Sequence, residues 1–338
     1  MTAERLVELA RGILVGEALA WTDGGYRIRL FPPKRLARME TLAAFAREHG
    51  TTTPTVPYAH SSPVSILEPG PGDGTEWFAF AAAALLRSQA AGGFEPLHAA
   101  WNELAQTAGP TRIGTHIPLA NLRRGLSAPQ SGNDNPHYFD DMPMVRAVAA
   151  AGVFDDEEQA LDAARRDAGV TGALDGVWCA EATAVLFARL LRGHPVDEAI
   201  DAALDRLPAE TWSRRIAEEA LAVAAQSSGA LDRAQRLAAG VGDRIYSYST
   251  VAPETLAMLL AHLSRATSAD ELMLGALAQP RNAATLPALA AAAAATAYGD
   301  AWMPAHLQAT AELAGVSIPS LRGVPLADAI SSGAVTAP

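Results

Sequence analysis

The stretch "DGVWCAEATAVLFARLLRG", residues 175–193, has the pattern of an amphipathic helix. Its apolar and small side chains recur at intervals of three and four residues, which places them on one helix face. These side chains are Val177, Ala180, Ala184, Phe187 and Leu191. Asp175 is in position to cap the N-terminus of this helix, and Gly193 is in position to end it.

The same helical pattern recurs along the chain between glycine and proline residues. It predicts further helices at about residues 2–20, 35–48, 76–91, 94–107, 142–152, 156–168, 196–206, 210–227, 229–239, 254–265, 268–278, 285–298 and 304–314. A strand signal is confined to "YRIRLF", residues 26–31. Short connections and the lack of a fixed-period repeat predict an all-α fold, a single large globular domain of many packed helices over residues 1–318. Residues 319–338 are expected to form a C-terminal tail.

Composition excludes several classes of protein. The formal net charge of −11 argues against a nucleic-acid partner, because such partners select clustered Lys and Arg. Cys179 is the only cysteine, so there is no internal disulfide and no cysteine cluster for zinc. The N-terminus carries Glu4 and Glu8 and is unlike a signal peptide, and no apolar run is suited to crossing a bilayer. We therefore expect a cytoplasmic protein with no membrane partner; the sequence predicts no oligomeric state.

A Pro- and Gly-rich segment, "EPGPGDGTEWFAFAAAALLRS" at residues 68–88, places Asp73 and Thr75 at the start of a helix. The unpaired N–H groups of a helix start suit either a capping side chain or a ligand. Asp and Thr are ordinary N-terminal residues of helices, so this segment alone leaves both interpretations open.

The densest group of polar residues lies in "RGLSAPQSGNDNPHYFDDMPMVRA", residues 124–147, hereafter the central loop. Its hydrogen-bonding and titratable residues are Asn133, Asp134, Asn135, His137, Tyr138, Asp140 and Asp141. A connecting loop rarely needs so many of these groups together with two aromatic rings, which favours a functional site. The alternative is a series of turns, since Asn, Asp, Gly and Pro all form turns.

The order of these motifs resembles that of the ADP-ribosylglycohydrolase family, which includes the glycohydrolase that reactivates dinitrogenase reductase. "RGILVGEALAW", residues 11–21, is similar to the opening helix G-x-x-x-G-D-A-x-G, and "GDGTEWFAFAAAALL" takes the place of the S/T-D-D-T motif. The central loop, residues 173–193 and "YSTVAPETLAMLLAHL" follow in the family's order. "PRNAATLPALAAAAAATAYGDAW" falls where the family has G-G-D-x-D-T/S. The resemblance covers about residues 5–303 and implies an all-α fold.

The resemblance also implies two divalent metals, usually magnesium, held by the S/T-D-D-T motif and by the last motif. This sequence keeps Asp73 and Thr285 from those two sets. The other ligand positions hold residues without a carboxylate, namely Gly72, Gly74, Asn282 and Ala284. A metal pair would then lack its counter-charges. We expect no metal-ligating set and room for no more than a single weakly bound Mg²⁺. Glu17 replaces the opening motif's Asp, and Asp23 is the nearest candidate for its second acidic position.

The resemblance implies a ribosyl glycosidase, and the departures from it suggest one without the metal pair. Such an enzyme would cleave a ribosyl N- or O-glycosidic bond in an ADP-ribosylated group or a nucleotide-derived metabolite, with carboxylates stabilising an oxocarbenium-like state. The expected catalytic residues are Asp73, Asp140, Asp141 and Glu17. The expected substrate-binding residues are Thr75, Asn133, Asp134, Asn135, His137, Tyr138, Asn282 and Thr285. The alternative is an inactive relative that serves as a nucleotide-binding or regulatory module. In both cases the partner is a small ribosylated or nucleotide-like ligand.

Overall fold

The computed structural model describes residues 2–22, 71–242, 250–282, 285–303 and 311–331. Over these residues the chain forms fifteen α-helices and one 3-10 turn. In order, the α-helices are α1 (Thr2–Thr22), α2 (Asp73–Ala91), α3 (Glu95–Thr107), α4 (Ile113–Arg123), α5 (Gln130–Asn133), α6 (Met142–Val153), α7 (Glu157–Thr171), α8 (Asp175–Leu191), α9 (Val196–Asp205), α10 (Trp212–Ala225), α11 (Ala230–Gly240), α12 (Ala252–Leu263), α13 (Ala269–Leu277), α14 (Thr285–Tyr298) and α15 (Leu326–Ser331). The 3-10 turn spans Pro319–Leu321. The all-α prediction is confirmed.

Two small-residue helices, α1 and α14, pack closely against each other. A Cβ atom added to Gly12 would lie 2.8 Å from the Cα of Ala292, and one added to Gly16 would lie 2.2 Å from the carbonyl oxygen of Pro287. The two glycines of the opening motif are therefore needed for contact between the helix backbones. This contact brings the C-terminal half of α1 beside the start of α14.

The remaining core is built around α6, which packs against α2, α7 and α8. Every residue of α6 is buried, which agrees with its nearly continuous run of small and apolar side chains. Helix α2 also packs on α1, and hydrogen bonds join the start of α2 to α1 and the start of α14 to the residue before α6. The starts of α2, α6 and α14 therefore lie together, beside the C-terminal half of α1. The site described below lies where these helix starts meet.

Helix α4 differs from the sequence prediction. No helix was expected between residues 107 and 142, where "IGTHIPLANLR" contains both a glycine and a proline. Pro118 lies within the helix and Gly114 in its first turn, where a Cβ atom would lie 2.6 Å from Asp140. The expected breakers are thus accommodated, and the glycine permits close contact with the central loop.

Asp175 does not cap α8 as expected. It lies inside the first turn of α8, and its Oδ1 accepts a hydrogen bond from the backbone N–H of Ser213 at 3.0 Å. Asp175 therefore binds the start of α10, while Leu174, with φ of 46°, precedes α8. Gly193, with φ of 75°, follows the end of α8 as predicted.

Two expected elements, the helix at 35–48 and the strand signal at 26–31, lie outside the described residues, as does most of the helix expected at 304–314. The described residues 311–314 are not helical, and Glu312 pairs with Pro325 in an isolated bridge. Within the segment expected to be a tail, α15 packs on α1 and α2 with Leu326 and Ile330 buried. No helix in the described part of the chain is long and apolar enough to cross a membrane.

Candidate functional site

The guanidinium group of Arg112 joins the starts of α2, α6 and α14. Its Nε donates to Oδ2 of Asp73 at 3.1 Å, and its Nη1 donates to Oδ1 of Asp141 at 2.9 Å. The same Nη1 lies 3.2 Å from the hydroxyl oxygen of Thr285. We call these four residues the Arg112 junction. The side chains of Arg112, Asp73 and Asp141 are 8%, 19% and 0% exposed, so Asp73 is the carboxylate of the junction nearest to solvent.

Asp141 is held on both carboxylate oxygens. Its Oδ1 accepts from the hydroxyl of Thr285 at 2.9 Å in addition to Arg112, and its Oδ2 accepts from the hydroxyl of Thr255 at 2.8 Å. Burial raises the pKa of Asp141 to about 6; Arg112 opposes this rise, whereas neighbouring Asp140 adds to it. The side chain is thus buried and fully engaged by groups of the protein.

Asp140 is engaged in a different way. Its Oδ1 accepts from the backbone N–H of Met142 at 3.0 Å, and its Oδ2 accepts from the hydroxyl of Thr250 at 3.1 Å. It also forms an isolated antiparallel bridge with Val251. These contacts attach the end of the central loop to the start of α12. Burial raises the pKa of Asp140, and Arg112 again opposes the rise.

Glu17 binds the first turn of α2. One carboxylate oxygen accepts from the backbone N–H of Gly74 at 2.8 Å. The other accepts from the N–H groups of Gly72 and Thr75 at 2.9 and 3.0 Å, and from the Thr75 hydroxyl at 2.5 Å. Burial and the negative charge of Asp73 raise the pKa of Glu17 to about 7, against the lowering effect of these donors. Glu17 thus provides the cap of α2, and both Glu17 and Thr75 are buried in that contact.

The position of Glu17 accounts for the two glycines beside Asp73. A Cβ atom at Gly72 would lie 2.6 Å from Oε1 of Glu17, and one at Gly74 would lie 2.8 Å from the same atom. The carboxylate of Glu17 therefore fills the space that side chains at positions 72 and 74 would require. The three departures from the family motifs at positions 17, 72 and 74 form one packing arrangement.

The residues of the last motif, Asn282 and Thr285, also form hydrogen bonds with other residues of the protein. Asn282, with φ of 56°, donates through Nδ2 to the Thr255 hydroxyl and lies 3.4 Å from the carbonyl oxygen of Val251. Its Oδ1 is buried and accepts no hydrogen bond within the described part of the chain. Thr285 is directed to Asp141 and Arg112, as given above. Ala284 lies outside the described residues.

Among the described residues, no hydrogen bond or ion pair links Asn133, Asp134, Asn135, His137 or Tyr138 to the Arg112 junction. Asn135 is buried and donates to the carbonyl oxygens of Gly114 and Thr171 at 2.9 and 2.7 Å, which attaches the loop to α4 and α7. His137 and Tyr138 are half-buried beside Phe139. Asn133 and Asp134 are exposed, and Asp134 lies 3.9 Å from Arg124.

The residues that the sequence analysis did not find are Arg112, Thr250 and Thr255. Arg112 stands in "GPTRIGTH", a segment with no family motif and with one isolated positive charge. The sequence did indicate that such a residue was needed, because a site that keeps buried carboxylates but loses its metals requires another positive charge. Arg112 is the residue that supplies this charge to Asp73 and Asp141.

The residues present do not fit a pair of divalent metals. Glu17 directs both oxygens at N–H and hydroxyl donors, Gly72 and Gly74 bring no ligand, and Arg112 occupies the space between Asp73 and Thr285. The described residues contain no group of three or more His, Cys, Asp or Glu side chains arranged to hold a metal ion. Hard cations require several anionic oxygens that are free of other cations.

Two concave regions among the described residues lie away from the Arg112 junction. One of about 390 Å³ is bordered by Thr267, Ser268, Ala269, Asp270, Tyr298, Ala301 and Trp302. A smaller one of about 90 Å³ lies beside Trp101 and Val170. Neither is lined by a residue of the Arg112 junction.

Comparisons with known proteins agree with the order of the sequence motifs. No curated protein matches the chain. A solved structure described as an "ADP-ribosylglycohydrolase-related protein complex" superposes with a TM-score of 0.61 at 21% identity, and the match covers 99% of this chain and 96% of that one. This likeness shows the shared fold. The family model described as ADP-ribosylglycohydrolase matches residues 2–333. The chain therefore belongs to the ADP-ribosylglycohydrolase family.

Proposed function

We propose that this protein recognises a ribosylated, nucleotide-derived ligand, of the ADP-ribosyl class, without the metal-dependent hydrolysis implied for its family. One observation carries the proposal: Arg112 pairs with both Asp73 and Asp141. A carboxylate that is buried and paired with a guanidinium is poorly placed to activate water, because its charge is already compensated. The geometry therefore supports recognition better than hydrolysis.

Asp73 and Arg112 are the groups best placed to meet the ligand. The side chain of Asp73 is 19% exposed to solvent. Its Oδ1 lies 3.5 Å from Nη2 of Arg112, which is long for a hydrogen bond. A carboxylate oxygen with such a weak partner can accept hydrogen bonds from ribose hydroxyls. The positive charge of the Arg112 guanidinium lies beside Asp73 and would attract an anionic oxygen such as that of a phosphate.

A second candidate function is metal-independent hydrolysis of a ribosyl bond, as the sequence analysis expected. The specific observation in its favour is that the partly exposed carboxylate of Asp73 shares Arg112 with Asp141, and its charge acts on the carboxyl group of Glu17. Asp73 would face the sugar and stabilise the developing positive charge. Asp140 and Asp141 would act through position and charge, since both are buried.

Titration calorimetry with ADP-ribose in buffer that contains EDTA tests recognition. We expect binding by the unmodified protein and binding weakened roughly 10- to 100-fold by Asp73→Asn, the scale of one hydrogen bond to a charged group. Asp197→Asn, an exposed carboxylate on α9, serves as the matched control and should bind as the unmodified protein does. Absence of any ADP-ribose binding would contradict the recognition proposal.

Release of ADP-ribose from ADP-ribosylated peptides distinguishes the two functions. Recognition alone predicts no turnover with or without Mg²⁺. Turnover that persists in EDTA and falls roughly 100-fold or more in Asp73→Asn would favour the hydrolase instead. Turnover that requires Mg²⁺ would contradict both.

A further inference from the structure

We propose that Arg112 is a built-in counter-ion that takes the place of the family's metal ions, so that loss of this one positive charge turns the Arg112 junction into a divalent-cation site. This proposal concerns the ion chemistry of the junction and stands independently of any ligand or turnover. It rests on the geometry, charge and fixed position of the Arg112 side chain.

The guanidinium of Arg112 lies between residues of the two motifs that hold metals in the family resemblance. Asp73 and Thr285 are the retained members of the two motifs to which the family resemblance assigns the metals. Arg112 contacts both, through Nε at 3.1 Å and through Nη1 at 3.2 Å. A guanidinium presents five N–H donors in one plane and can satisfy several oxygens at once, as a coordinated cation does.

The positive charge of Arg112 compensates the negative charges of the junction. Asp73 and Asp141 contribute two carboxylates to the junction, and Arg112 contributes the positive charge that pairs with both. A divalent ion would have to displace that guanidinium or lie beside it, and two adjacent cations in a nearly dry site repel strongly. The guanidinium therefore excludes Mg²⁺ and Mn²⁺ from the same oxygens.

The backbone segment that precedes Arg112 is anchored to the C-terminal part of the chain. The backbone N–H of Gly109 donates to the carbonyl oxygen of Ser317 at 3.0 Å. Residues 316–318 are in turn held by the buried carboxylate of Glu76, which accepts from their three N–H groups at 2.8, 2.9 and 3.0 Å. The segment 109–112 is thus anchored to the C-terminal part of the chain. These contacts hold the backbone that leads to Arg112, and Asp73 and Asp141 hold its side chain.

Removal of the guanidinium would leave three oxygen ligands directed at a common space: the carboxylates of Asp73 and Asp141 and the hydroxyl of Thr285. Mg²⁺ and Mn²⁺ keep several waters when protein ligands are few, so the vacated volume suits a partly hydrated ion. The second ion of the family's pair has no such site, because Glu17 fills the space beside Gly72 and Gly74. We therefore expect one ion, bound with a dissociation constant on the order of 0.1–1 mM.

Mn²⁺ binding, counted by electron paramagnetic resonance of the free ion, tests the proposal without any assay of activity. The full-length unmodified protein, Arg112→Ala, Arg112→Gln and Arg112→Lys are titrated with MnCl₂ after folding is checked by circular dichroism. We expect about one additional Mn²⁺ per chain in Arg112→Ala or Arg112→Gln, lost again when Asp73→Asn is added. Arg112→Lys keeps the charge and should resemble the unmodified protein. Arg165→Ala, which breaks an ion pair with Glu181 outside the junction, controls for loss of any arginine.

Two results would overturn the proposal. The first is an Mn²⁺ site in the unmodified protein that Asp73→Asn abolishes, since the guanidinium would then fail to exclude the ion. This measurement remains decisive even if the alanine and glutamine variants do not fold. The second is a folded Arg112→Ala or Arg112→Gln protein that binds no more Mn²⁺ than the Arg165→Ala control.

Discussion

The Glu17 carboxylate accepts two hydrogen bonds from Thr75, one from the backbone N–H at 3.0 Å and one from the hydroxyl at 2.5 Å. Together with the N–H groups of Gly72 and Gly74, this contact fixes the start of α2 to α1 across 58 residues of sequence. A buried carboxylate that receives four donors stabilises the helix start. It also holds Asp73, between the two glycines, in a set orientation toward Arg112.

Replacement of Glu17 by alanine should destabilise the protein by roughly 2–4 kcal/mol, because buried N–H and hydroxyl donors lose their acceptor. Glu17→Gln should cost less, since it keeps one carbonyl oxygen, although its amide group would face donors. Urea denaturation provides the measurement. Glu8→Ala, an exposed position on the same helix, should change the free energy of unfolding by less than about 0.5 kcal/mol. Equal effects at Glu17 and Glu8 would refute the capping role.

The contact between α1 and α14 makes Gly16 intolerant of any side chain. Gly16→Ala would place a Cβ atom 2.2 Å from the carbonyl oxygen of Pro287, so the helices must move apart. We expect a loss of about 2–3 kcal/mol or more in the free energy of unfolding, despite the higher helix propensity of alanine. Gly229→Ala, where no heavy atom lies within 4 Å of the new Cβ and the backbone is extended, is the control. A Gly16→Ala protein as stable as this control would show that the two backbones are not in contact.

The sequence was most informative where helices bury a continuous face. The patterns at residues 2–20, 175–193 and 285–298 predict α1, α8 and α14 to within a few residues, because small and apolar side chains at helical spacing have few other arrangements. Helix α4 was missed because Pro118 and Gly114 are local helix breakers, whereas in the structure it packs on α3 and contacts the central loop. Tertiary contacts override local propensity there.

For the candidate site, the sequence placed Asp73 and Asp141 in one region, and the structure joins them through Arg112. That guanidinium could not be placed from sequence, because its position depends on the anchoring of residues 109–112 by the C-terminal segment. The catalytic and binding roles assigned to Glu17, Thr75 and Asn135 stay predictions. Their observed contacts are with the protein itself. A motif in the sequence indicates which residue types occupy a site. The hydrogen-bond partners of those residues depend on how the helices pack, which the sequence motif does not give.

The C-terminal segment should contribute to stability through Leu326, whose side chain is fully buried on the core. Leu326→Ala removes three carbon atoms from this contact and should cost about 2–4 kcal/mol. Arg322→Ala, exposed in the same segment, should be close to neutral. Thermal unfolding of the two variants is the measurement. Little change in the melting temperature of Leu326→Ala would indicate that this segment is dispensable for the fold.

A pH-dependent stability is expected from His262, which is fully buried in α12. Its Nδ1 lies 3.2 Å from Nε of Arg233 in α11, and its Nε2 lies 3.0 Å from the Gln279 side chain. Burial, with the charge of Arg233, lowers the pKa of His262 from 6.5 to about 3. Glu271 in α13 lies 3.6 Å from Arg233, and the positive charge of Arg265 also acts on Arg233. His262 is therefore mostly neutral in the folded protein between pH 7 and pH 4.

The sign of the effect follows from proton binding. Below pH 6.5 the unfolded chain takes up a proton at His262 that the folded protein does not accept, so the free energy of unfolding falls as the pH falls. Between pH 7 and pH 4 this group alone should remove about 3 kcal/mol. His262→Gln cannot titrate and still offers an acceptor to Arg233, so urea denaturation of both proteins at the two pH values isolates the histidine. Carboxylates common to both proteins cancel in the difference. An identical pH dependence in the two proteins would mean that His262 is protonated equally in the folded and unfolded states.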